Sequence, residues 1–218
     1  MMSDRERLYL FDTTLRDGAQ TAGIEFSLDD KIAVAALIER VGVDYLEGGY
    51  PGANPVDSGF FAEQRTKNAA FTAFGMTKRA GRSAQNDPGV QALINSSASA
   101  VCFVAKTWDH QVKLALGIEL EENLVSISQS IKAAIKAGKE ALLDCEHFFD
   151  GFRANPEYAL ACVKTAYDAG ARWIVLCDTN GGTLPAEMQS IIKQVLKVCP
   201  GENLGIHAHD DIGHALAN

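Results

Sequence analysis

Two histidines near the end of the sequence, His207 and His209, have a spacing that could bind a metal ion. On a β-strand alternate side chains share one face, and residues two apart have Cα atoms about 6–7 Å apart, so both imidazoles can reach one ion. Asp17, near the start of the chain, would add an oxygen ligand and complete a mixed set suited to Mg²⁺, Mn²⁺, Zn²⁺ or Fe²⁺. The alternative is a pair of inward-facing histidines that hydrogen bonds satisfy.

Arg16 directly precedes Asp17, and both follow an apolar run, residues 8–11, that predicts a buried strand. In a barrel of parallel strands, catalytic residues lie in the loops past the carboxyl ends of the strands. A guanidinium in such a loop can face an anion or a developing oxyanion. An exposed Arg16–Asp17 ion pair, which would contribute little, is the alternative.

Carboxylates follow two other apolar runs. Asp144 and Glu146 are predicted to share one face near the end of a strand, with His147 on the opposite face. Paired carboxylates can raise the pKa of one member, which suits it to proton transfer, whereas structural carboxylates simply accept backbone N–H groups. Glu47, in the segment YLEGGYP, is a further carboxylate at a strand end, and the adjacent glycines would let the backbone approach a ligand or form a turn.

Further polar residues lie at or just beyond predicted strand ends. Thr179 lies in a CDTNGG segment, where its hydroxyl and nearby N–H groups could bind a carboxylate or form an ordinary turn. Lys78, Arg79 and Lys106 would attract a phosphate or a carboxylate, or would simply be solvated.

The elements that must position these residues alternate along the chain. Apolar runs that predict strands cover residues 8–11, 44–50, 71–76, 100–106, 140–149, 173–179 and 204–210. Segments of helical composition separate them, which predicts a parallel α/β sheet. Both a (β/α)8 TIM barrel and an open doubly wound sheet fit. The segment after the first strand is DTTLRDG rather than GxGxxG, so we favour the barrel.

Local signals place several of the helices. Ser27 and Asp30 predict a capping box, which begins a helix that ends near Val41, before Gly42. Three other helices are predicted. One covers 121–136, one begins at Pro156 and ends at Gly170, and one begins at Pro185 and ends before Pro200.

The composition restricts the class of protein. A chain of 218 residues with 47% hydrophobic and 22% charged residues is typical of a globular protein, and we expect one catalytic domain over 1–218. The net charge of −8 argues against a nucleic-acid partner. Five cysteines without a CxxC spacing indicate mostly buried thiols in a reducing cytoplasm, and no apolar run approaches the roughly 20 residues of a membrane span.

Longer motifs resemble one enzyme family over essentially the whole chain. They are DTTLRDGAQ, EGGYPGANP, AFGMTKRAG, KTWDHQVKLALG, DCEHFFDGFRANPEYAL, LCDTNGGTLP and LGIHAHDD. In this order they resemble the metal-dependent acyl-CoA condensing enzymes with a TIM barrel, which include the 2-isopropylmalate, homocitrate and citramalate synthases. EGGYPGANP, EHFFDGF and CDTNGGTLP resemble the citramalate synthase branch.

The resemblance implies a Claisen-type condensation of acetyl-CoA with a 2-oxo acid, and the citramalate branch implies pyruvate as that acid and (R)-citramalate, for isoleucine biosynthesis, as the product. It implies that Asp17, His207 and His209 bind a divalent metal ion, which would be Mn²⁺, Mg²⁺ or Zn²⁺. Arg16 would stabilise the developing alkoxide, and Glu146 would move protons. The resemblance implies Thr179, Glu47 and Gln20 as substrate-binding residues, and Arg79 and Asp144, from their positions at strand ends, are the other predicted ones. A homodimer is implied for the full-length protein.

Three departures from the family pattern accompany the resemblance. Asp210 replaces an asparagine, His214 replaces a cysteine, and the sequence stops at Asn218, before an eighth strand. We therefore expect a barrel truncated after its seventh strand, with little activity by itself. The alternatives are a 2-isopropylmalate or homocitrate synthase, an aldolase or lyase on the same barrel, a two-histidine, one-carboxylate iron oxygenase, and a non-catalytic fragment.

Overall fold

The structure is a computed structural model, and it describes residues 7–218. Seven strands are hydrogen-bonded in chain order, and the pairs β1–β2, β2–β3, β5–β6 and β6–β7 are parallel. The strands are β1 (Phe11–Asp12), β2 (Tyr45–Gly49), β3 (Ala70–Met76), β4 (Ala100–Lys106), β5 (Glu140–Glu146), β6 (Trp173–Asp178) and β7 (Leu204–Ala208). The predicted alternation of strand and helix is confirmed.

Eight α-helices connect the described strands. They are α1 (Leu28–Val41), α2 (Pro55–Phe60), α3 (Pro88–Ile94), α4 (Asp109–Gln111), α5 (Leu120–Lys136), α6 (Phe148–Ala154), α7 (Pro156–Asp168) and α8 (Pro185–Val195). A π-helical turn (Val112–Leu116) follows α4. No helix in this part of the chain is both long and apolar enough to span a membrane.

The predicted start and end of α1 are confirmed. The Ser27 hydroxyl accepts from the Asp30 backbone N at 3.2 Å, and the Asp30 carboxylate accepts from the Ser27 N at 2.9 Å. Hydrogen bonds from the Ser27 side chain and then from its backbone lower the pKa of Asp30. Gly42 ends the helix with a φ of 92°, which glycine adopts without the steric cost of a Cβ.

The described chain divides into two compact units. The first unit runs to Phe74 and includes Asn95–Ala100, and the second contains Gly75–Ile94 and Val101–Asn218. Each has its own apolar core. The fully buried side chains of the first include Leu46, Phe60 and Phe71, and those of the second include Phe103, Ile131, Leu142, Leu143, Phe148 and Phe149. Burying each such side chain stabilises its unit by about 1.5–3 kcal/mol.

The prediction of a buried first strand over residues 8–11 is wrong. Only Phe11–Asp12 forms β1, and Leu8, Tyr9 and Leu10 are exposed by 86%, 40% and 58%. The backbone of Leu10 is nevertheless held, because its carbonyl accepts from the backbone N of Asp44 at 2.9 Å. In the part of the chain that the structure describes, β1 pairs with β2, and an apolar composition alone does not bury these side chains.

The fifth strand is shorter than the predicted 140–149. His147 has a φ of 54°, in the left-handed region, and α6 begins at Phe148. The side chains of Phe148 and Phe149 are fully buried from a helix rather than from a strand. The apolar character that suggested a strand therefore belongs to a helix packed in the core.

The prediction of buried thiols is confirmed, since all five cysteines are buried and none forms a disulfide. Burial raises the pKa of Cys162 to about 12 and that of Cys199 to about 11. These two thiols therefore stay protonated at neutral pH.

Candidate active site

Arg16 lies in a network of opposite charges in the first unit. Its Nε donates to Glu47 Oε2 at 2.6 Å, and its Nη1 donates to Asp17 Oδ1 at 3.0 Å. The guanidinium carbon also lies 4.0 Å from the centroid of the Phe74 ring. The side chains of Arg16 and Asp17 are 11% and 27% exposed and that of Glu47 is fully buried, so the Arg16–Asp17 pair is not the exposed pair considered as an alternative.

The DTT segment forms the turn that presents Arg16 and Asp17. The Thr13 carbonyl accepts from the backbone N of Arg16 at 3.0 Å and from that of Asp17 at 2.9 Å. The Asp12 carboxylate accepts from the Thr14 N at 3.0 Å and from its hydroxyl at 3.2 Å. The turn is therefore fixed by its own side chains, which is the structural reason for this motif.

A buried lysine that sequence reasoning missed ties two loops of the first unit together. Lys31, only 4% exposed, donates its Nζ to the carbonyls of Leu15 at 2.9 Å and Gly48 at 2.8 Å, and forms an ion pair with Asp57. Leu15 precedes Arg16 and Gly48 follows Glu47, so Lys31 positions both partners of the charge network. Lys31 shares a buried helix face with Ala35 at i+4, but a lysine in that position gives no distinctive signal in the sequence.

The glycines after Glu47 serve packing, which corrects the idea that they admit a ligand. A Cβ on Gly48 would lie 2.7 Å from the Phe60 ring and 2.8 Å from the Phe71 ring. A Cβ on Gly49, whose φ is 137°, would lie 2.6 Å from the carboxyl carbon of Asp57. These glycines let the core and the Asp57 carboxylate approach the strand.

A cavity of about 510 Å³ opens beside the charge network in the first unit. Arg16 and Gln20 both line it, together with Tyr50, Asn54 and Phe74. Gln20 was predicted to bind substrate, and the cavity brings it next to Arg16. The lining combines two cations and the carboxylates of Glu25 and Asp57 with amides and aromatic rings, a mixed surface that can hold a small organic molecule.

In the second unit, three consecutive strands place polar side chains on one face. Asp144 pairs in register with Val175, and Cys177, two residues further on, pairs with His207. Alternate residues share a face, so Asp144, Cys177 and His207 point to the same side. Their ligand-type atoms all lie within 4.8 Å of one another. Sequence reasoning missed Cys177 because register is not visible in the sequence.

The two histidines predicted to bind metal lie next to each other. His207 is on β7 and His209 follows that strand, and their ring centroids are 5.1 Å apart. The backbone N of His209 donates to the Asp178 carbonyl at 3.3 Å. The metal-ligand role of the pair stays a prediction.

Glu146 forms an ion pair with Lys106, whose side chain is 17% exposed. The Thr107 hydroxyl donates to the Glu146 carbonyl at 2.8 Å and fixes the end of this strand. Lys78 also has a carboxylate partner: its Nζ donates to Glu122 at 3.0 Å, and this bond lowers the pKa of Glu122. The idea that these lysines are simply solvated is therefore wrong.

Thr179 is held to the loop that follows β5. Its Oγ1 accepts from the backbone N of His147 at 2.8 Å, which leaves the hydroxyl hydrogen for another acceptor. Arg79 is exposed, and its backbone N donates to the Asp87 carboxylate at 2.9 Å. Burial raises the pKa of Asp87, but the backbone N–H groups of Arg79, Val90 and Gly89 outweigh it and the pKa is lowered. The substrate-binding roles of Thr179 and Arg79 stay predictions.

Comparison with known proteins decides the family. A family model described as HMGL-like matches residues 7–218, nearly the whole chain. The chain belongs to the HMGL-like family.

HMGL-like relatives reproduce the resemblance found in the sequence. The chain is 49% identical over 217 residues to an (R)-citramalate synthase of Streptomyces coelicolor, covering 98% of this chain and 40% of the relative. A second (R)-citramalate synthase, from Aquifex aeolicus, is 46% identical, with 98% and 41% covered. A 2-isopropylmalate synthase of Sulfolobus acidocaldarius is 33% identical, and the match covers 98% of this chain and 53% of the relative. The predicted similarity to the citramalate synthase branch is confirmed.

HMGL-like architecture also appears in solved structures. An HMG-CoA lyase of Bacillus subtilis superposes with a TM-score of 0.82 at 20% identity, covering 98% of this chain and 72% of that chain. The carboxyl transferase domain of Rhizobium etli pyruvate carboxylase gives a TM-score of 0.65 at 21% identity, with 98% and 37% covered. These likenesses confirm the TIM-barrel class of α/β fold, of which this chain contains seven strands.

One departure from the HMGL-like pattern has a local structural role. Asp210 follows β7, and its carboxylate accepts from the backbone N of Ala215 at 3.0 Å. Its carbonyl accepts from the N of Gly213 at 3.0 Å. Asp210 therefore closes the turn after β7. Nothing in the structure explains the histidine at position 214.

Proposed function

We propose that this chain supplies the catalytic barrel of an enzyme that condenses acetyl-CoA with pyruvate to give (R)-citramalate. The observation that carries the proposal is the identity of 43–49% to citramalate synthases, against 32–34% to 2-isopropylmalate synthases over similar lengths. The chain spans about 40% of the citramalate synthases that it matches, so the activity is proposed for a longer protein that contains it.

The proposed metal ligands are Asp17, His207 and His209. The chemistry of the set supports this, because a carboxylate and two imidazoles suit Mn²⁺, Mg²⁺ or Zn²⁺, and the two imidazoles are 5.1 Å apart at their centroids. Asp17 accepts a hydrogen bond from Arg16, an arrangement that orients a ligating carboxylate. A divalent ion bound there would supply Lewis acidity at the ketone oxygen.

The chain's own residues would act around the pyruvate. Arg16, fixed by Glu47 and by the Phe74 ring, would stabilise the negative charge that develops on the ketone oxygen. Glu146, held by Lys106, would take the proton from the acetyl methyl group, which then attacks the ketone carbon. The Thr179 hydroxyl would donate to the pyruvate carboxylate.

The remaining substrate-binding proposals divide between the units. Gln20 lines the cavity beside Arg16, and Glu47 holds that arginine. Asp144 lies on the same strand face as Glu146. Arg79 is exposed just beyond β3, where it would meet a larger anionic substrate such as acetyl-CoA.

The test is a substrate panel on a protein that joins this chain to the remaining length found in its relatives. Release of CoA from acetyl-CoA is measured with Mn²⁺ and pyruvate, 2-oxoisovalerate or 2-oxoglutarate. We expect the highest kcat/KM with pyruvate. A preference for either of the larger 2-oxo acids, or cleavage of a hydroxyacyl-CoA instead of condensation, would contradict the proposal.

We also propose that the longer protein is a homodimer in the cytoplasm. Five buried cysteines without a disulfide suit a reducing compartment. Light scattering on the purified longer protein tests the dimer, and a monomeric mass would contradict it.

A further inference from the structure

The same face of β5, β6 and β7 carries a carboxylate, a thiol and an imidazole that the proposed condensation does not use together. Asp144 is 6% exposed and Cys177 is 7% exposed, and His207 is half-buried beside them. Parallel register sets this arrangement, because Cys177 and His207 are direct partners and Asp144 lies one strand away on the same face. The backbone therefore fixes the three positions.

The separation of the three ligand atoms suits one ion. In a tetrahedral zinc site, bonds of about 2.0–2.3 Å place neighbouring ligand atoms roughly 3.3–3.8 Å apart. Here the Asp144 oxygen, the Cys177 sulfur and a His207 nitrogen all lie within 4.8 Å of one another. Small side-chain rotations would close the remaining gap, and they need no change in strand register.

We propose that Asp144, Cys177 and His207 form a second metal site, selective for Zn²⁺ and other thiophilic divalent ions. A thiolate ligand favours such ions over Mg²⁺ and Mn²⁺, which prefer oxygen ligands. On binding, the S–H bond of Cys177 breaks, an S–metal bond forms and the proton passes to water. The thiolate and the Asp144 carboxylate then neutralise the charge of the buried cation.

Sharing of His207 gives this site a regulatory consequence, which rests on the proposed function. The proposed catalytic set also needs His207, and a neutral imidazole has only one nitrogen lone pair with which to bind a metal ion, so the two ions compete for it. In the Mn²⁺-loaded enzyme, occupation of the second site by Zn²⁺ would withdraw His207 from Mn²⁺ and inhibit the condensation. The ligand set, by contrast, is independent of what reaction the protein catalyses.

The other cysteines provide internal controls. Burial raises the pKa of Cys145 well above its usual value and that of Cys199 to about 11, so these thiols do not ionise readily. Cys145 also adjoins Asp144 on β5 and so points to the opposite face. Neither is part of the cluster with His207. Cys199→Ser therefore makes the same chemical change as Cys177→Ser, away from the site.

Cobalt spectroscopy tests the site on the 218-residue chain itself. The metal-free, reduced protein is titrated with Co²⁺, and the thiolate-to-cobalt charge-transfer band is recorded in the near ultraviolet. We expect the band in the parent chain and in Cys199→Ser, its loss in Cys177→Ser, and its removal by stoichiometric Zn²⁺. No band in the parent, or a band retained in Cys177→Ser, would overturn the proposal.

Two further variants keep the test decisive. Asp144→Asn should retain a band but weaken Co²⁺ affinity by at least about tenfold. This measurement still tests the site if Cys177→Ser does not fold. An unchanged affinity would count against the site. Asp17→Asn should keep the band, because Asp17 belongs only to the proposed catalytic set. If the longer protein lacks condensing activity while the 218-residue chain still shows the cobalt band, the result contradicts the proposed function and leaves the second metal site standing.

Inhibition is measured on the longer protein with Mn²⁺, acetyl-CoA and pyruvate. We expect Cys177→Ser to raise the Zn²⁺ concentration for half-inhibition at least about tenfold, with kcat under Mn²⁺ alone unchanged. Equal sensitivity of the parent and Cys177→Ser to Zn²⁺ would show that the ion inhibits elsewhere.

Discussion

The loops of the two units are held by charges in different surroundings. In the first unit, the buried Lys31 and Asp57, which are 4% and 8% exposed, connect the segments that carry Arg16 and Glu47. In the second, Arg153 links α6 to α8 through Glu187, with side chains that are 35% and 39% exposed. A buried charge that loses its partner is strongly destabilising, whereas exposed pairs contribute little. Loss of the Lys31 charge should therefore be much more destabilising than loss of the Arg153 charge.

The largest expected effect is that of Lys31→Met. This change leaves the Asp57 carboxylate buried without its cation and should lower the free energy of unfolding by about 3–5 kcal/mol, measured by urea denaturation. Lys164→Met is the matched control, because Lys164 pairs with Asp168 on the surface with side chains 57% and 55% exposed. The control should cost less than about 0.5 kcal/mol. Equal losses would remove the contrast between buried and exposed pairs.

Arg16→Lys tests whether the network in the first unit serves chemistry beyond stability. A lysine keeps the charge but cannot contact Glu47, Asp17 and the Phe74 ring in the same geometry, so kcat of the longer protein should fall about 10²–10³-fold. Arg65→Lys, in the same unit, should leave kcat unchanged, since Arg65 bonds the Phe60 carbonyl and Glu63. An unchanged kcat in Arg16→Lys would limit the network to a structural role.

Gly48→Ala should show how tightly the first unit is packed around its network. The added methyl would meet the Phe60 and Phe71 rings at 2.7 and 2.8 Å, so we expect a loss of about 1–3 kcal/mol in thermal or urea unfolding. Gly59→Ala is the control, because its Cβ would contact Leu28 at an ordinary 3.5 Å. Similar stabilities of the two variants would contradict the packing argument.

The smallest effect is expected for Arg153→Met in the second unit, at most about 1 kcal/mol at neutral pH. The Arg153 side chain lowers the pKa of Glu187, so the stabilisation is present above the unfolded pKa of about 4.3 and is lost as the pH falls through the folded pKa. Urea midpoints of parent and variant should therefore converge as the pH falls through the lowered pKa of Glu187. A difference that persists at low pH would show that the carboxylate is not the cause.

Local signals predicted four of the eight described helices, α1, α5, α7 and α8. The Ser27 capping box, Gly42, Pro156 and Pro185 mark helix ends through bonds and sterics within a few residues, and α1, α7 and α8 begin or end there. The left-handed His147 carries no such signal, because a histidine fits either a strand or a turn. The predicted fifth strand was therefore too long.

The sequence predicted the candidate site only where the alternation of side chains between the two faces of one strand places the residues. The shared face of Asp144 and Glu146 follows from their spacing, whereas the pairing of Lys106 with Glu146 spans 40 residues and needs the fold. Lys31 and Asp57 are 26 residues apart, and both are charged residues of a kind that usually lies on the surface of a helix, so the sequence does not show that they pair. Contacts between elements depend on register and packing, which a single sequence does not display.

The ammonium group of Lys31 offers a probe of native-state opening. All three of its protons are donated, to Leu15, Gly48 and Asp57, so an amine-directed acylating reagent has no route to the nitrogen in the closed form. Acylation at this position would proceed only when the two loops separate. Its rate, followed by peptide mass spectrometry, would therefore report how often the chain around Arg16 and Glu47 comes apart.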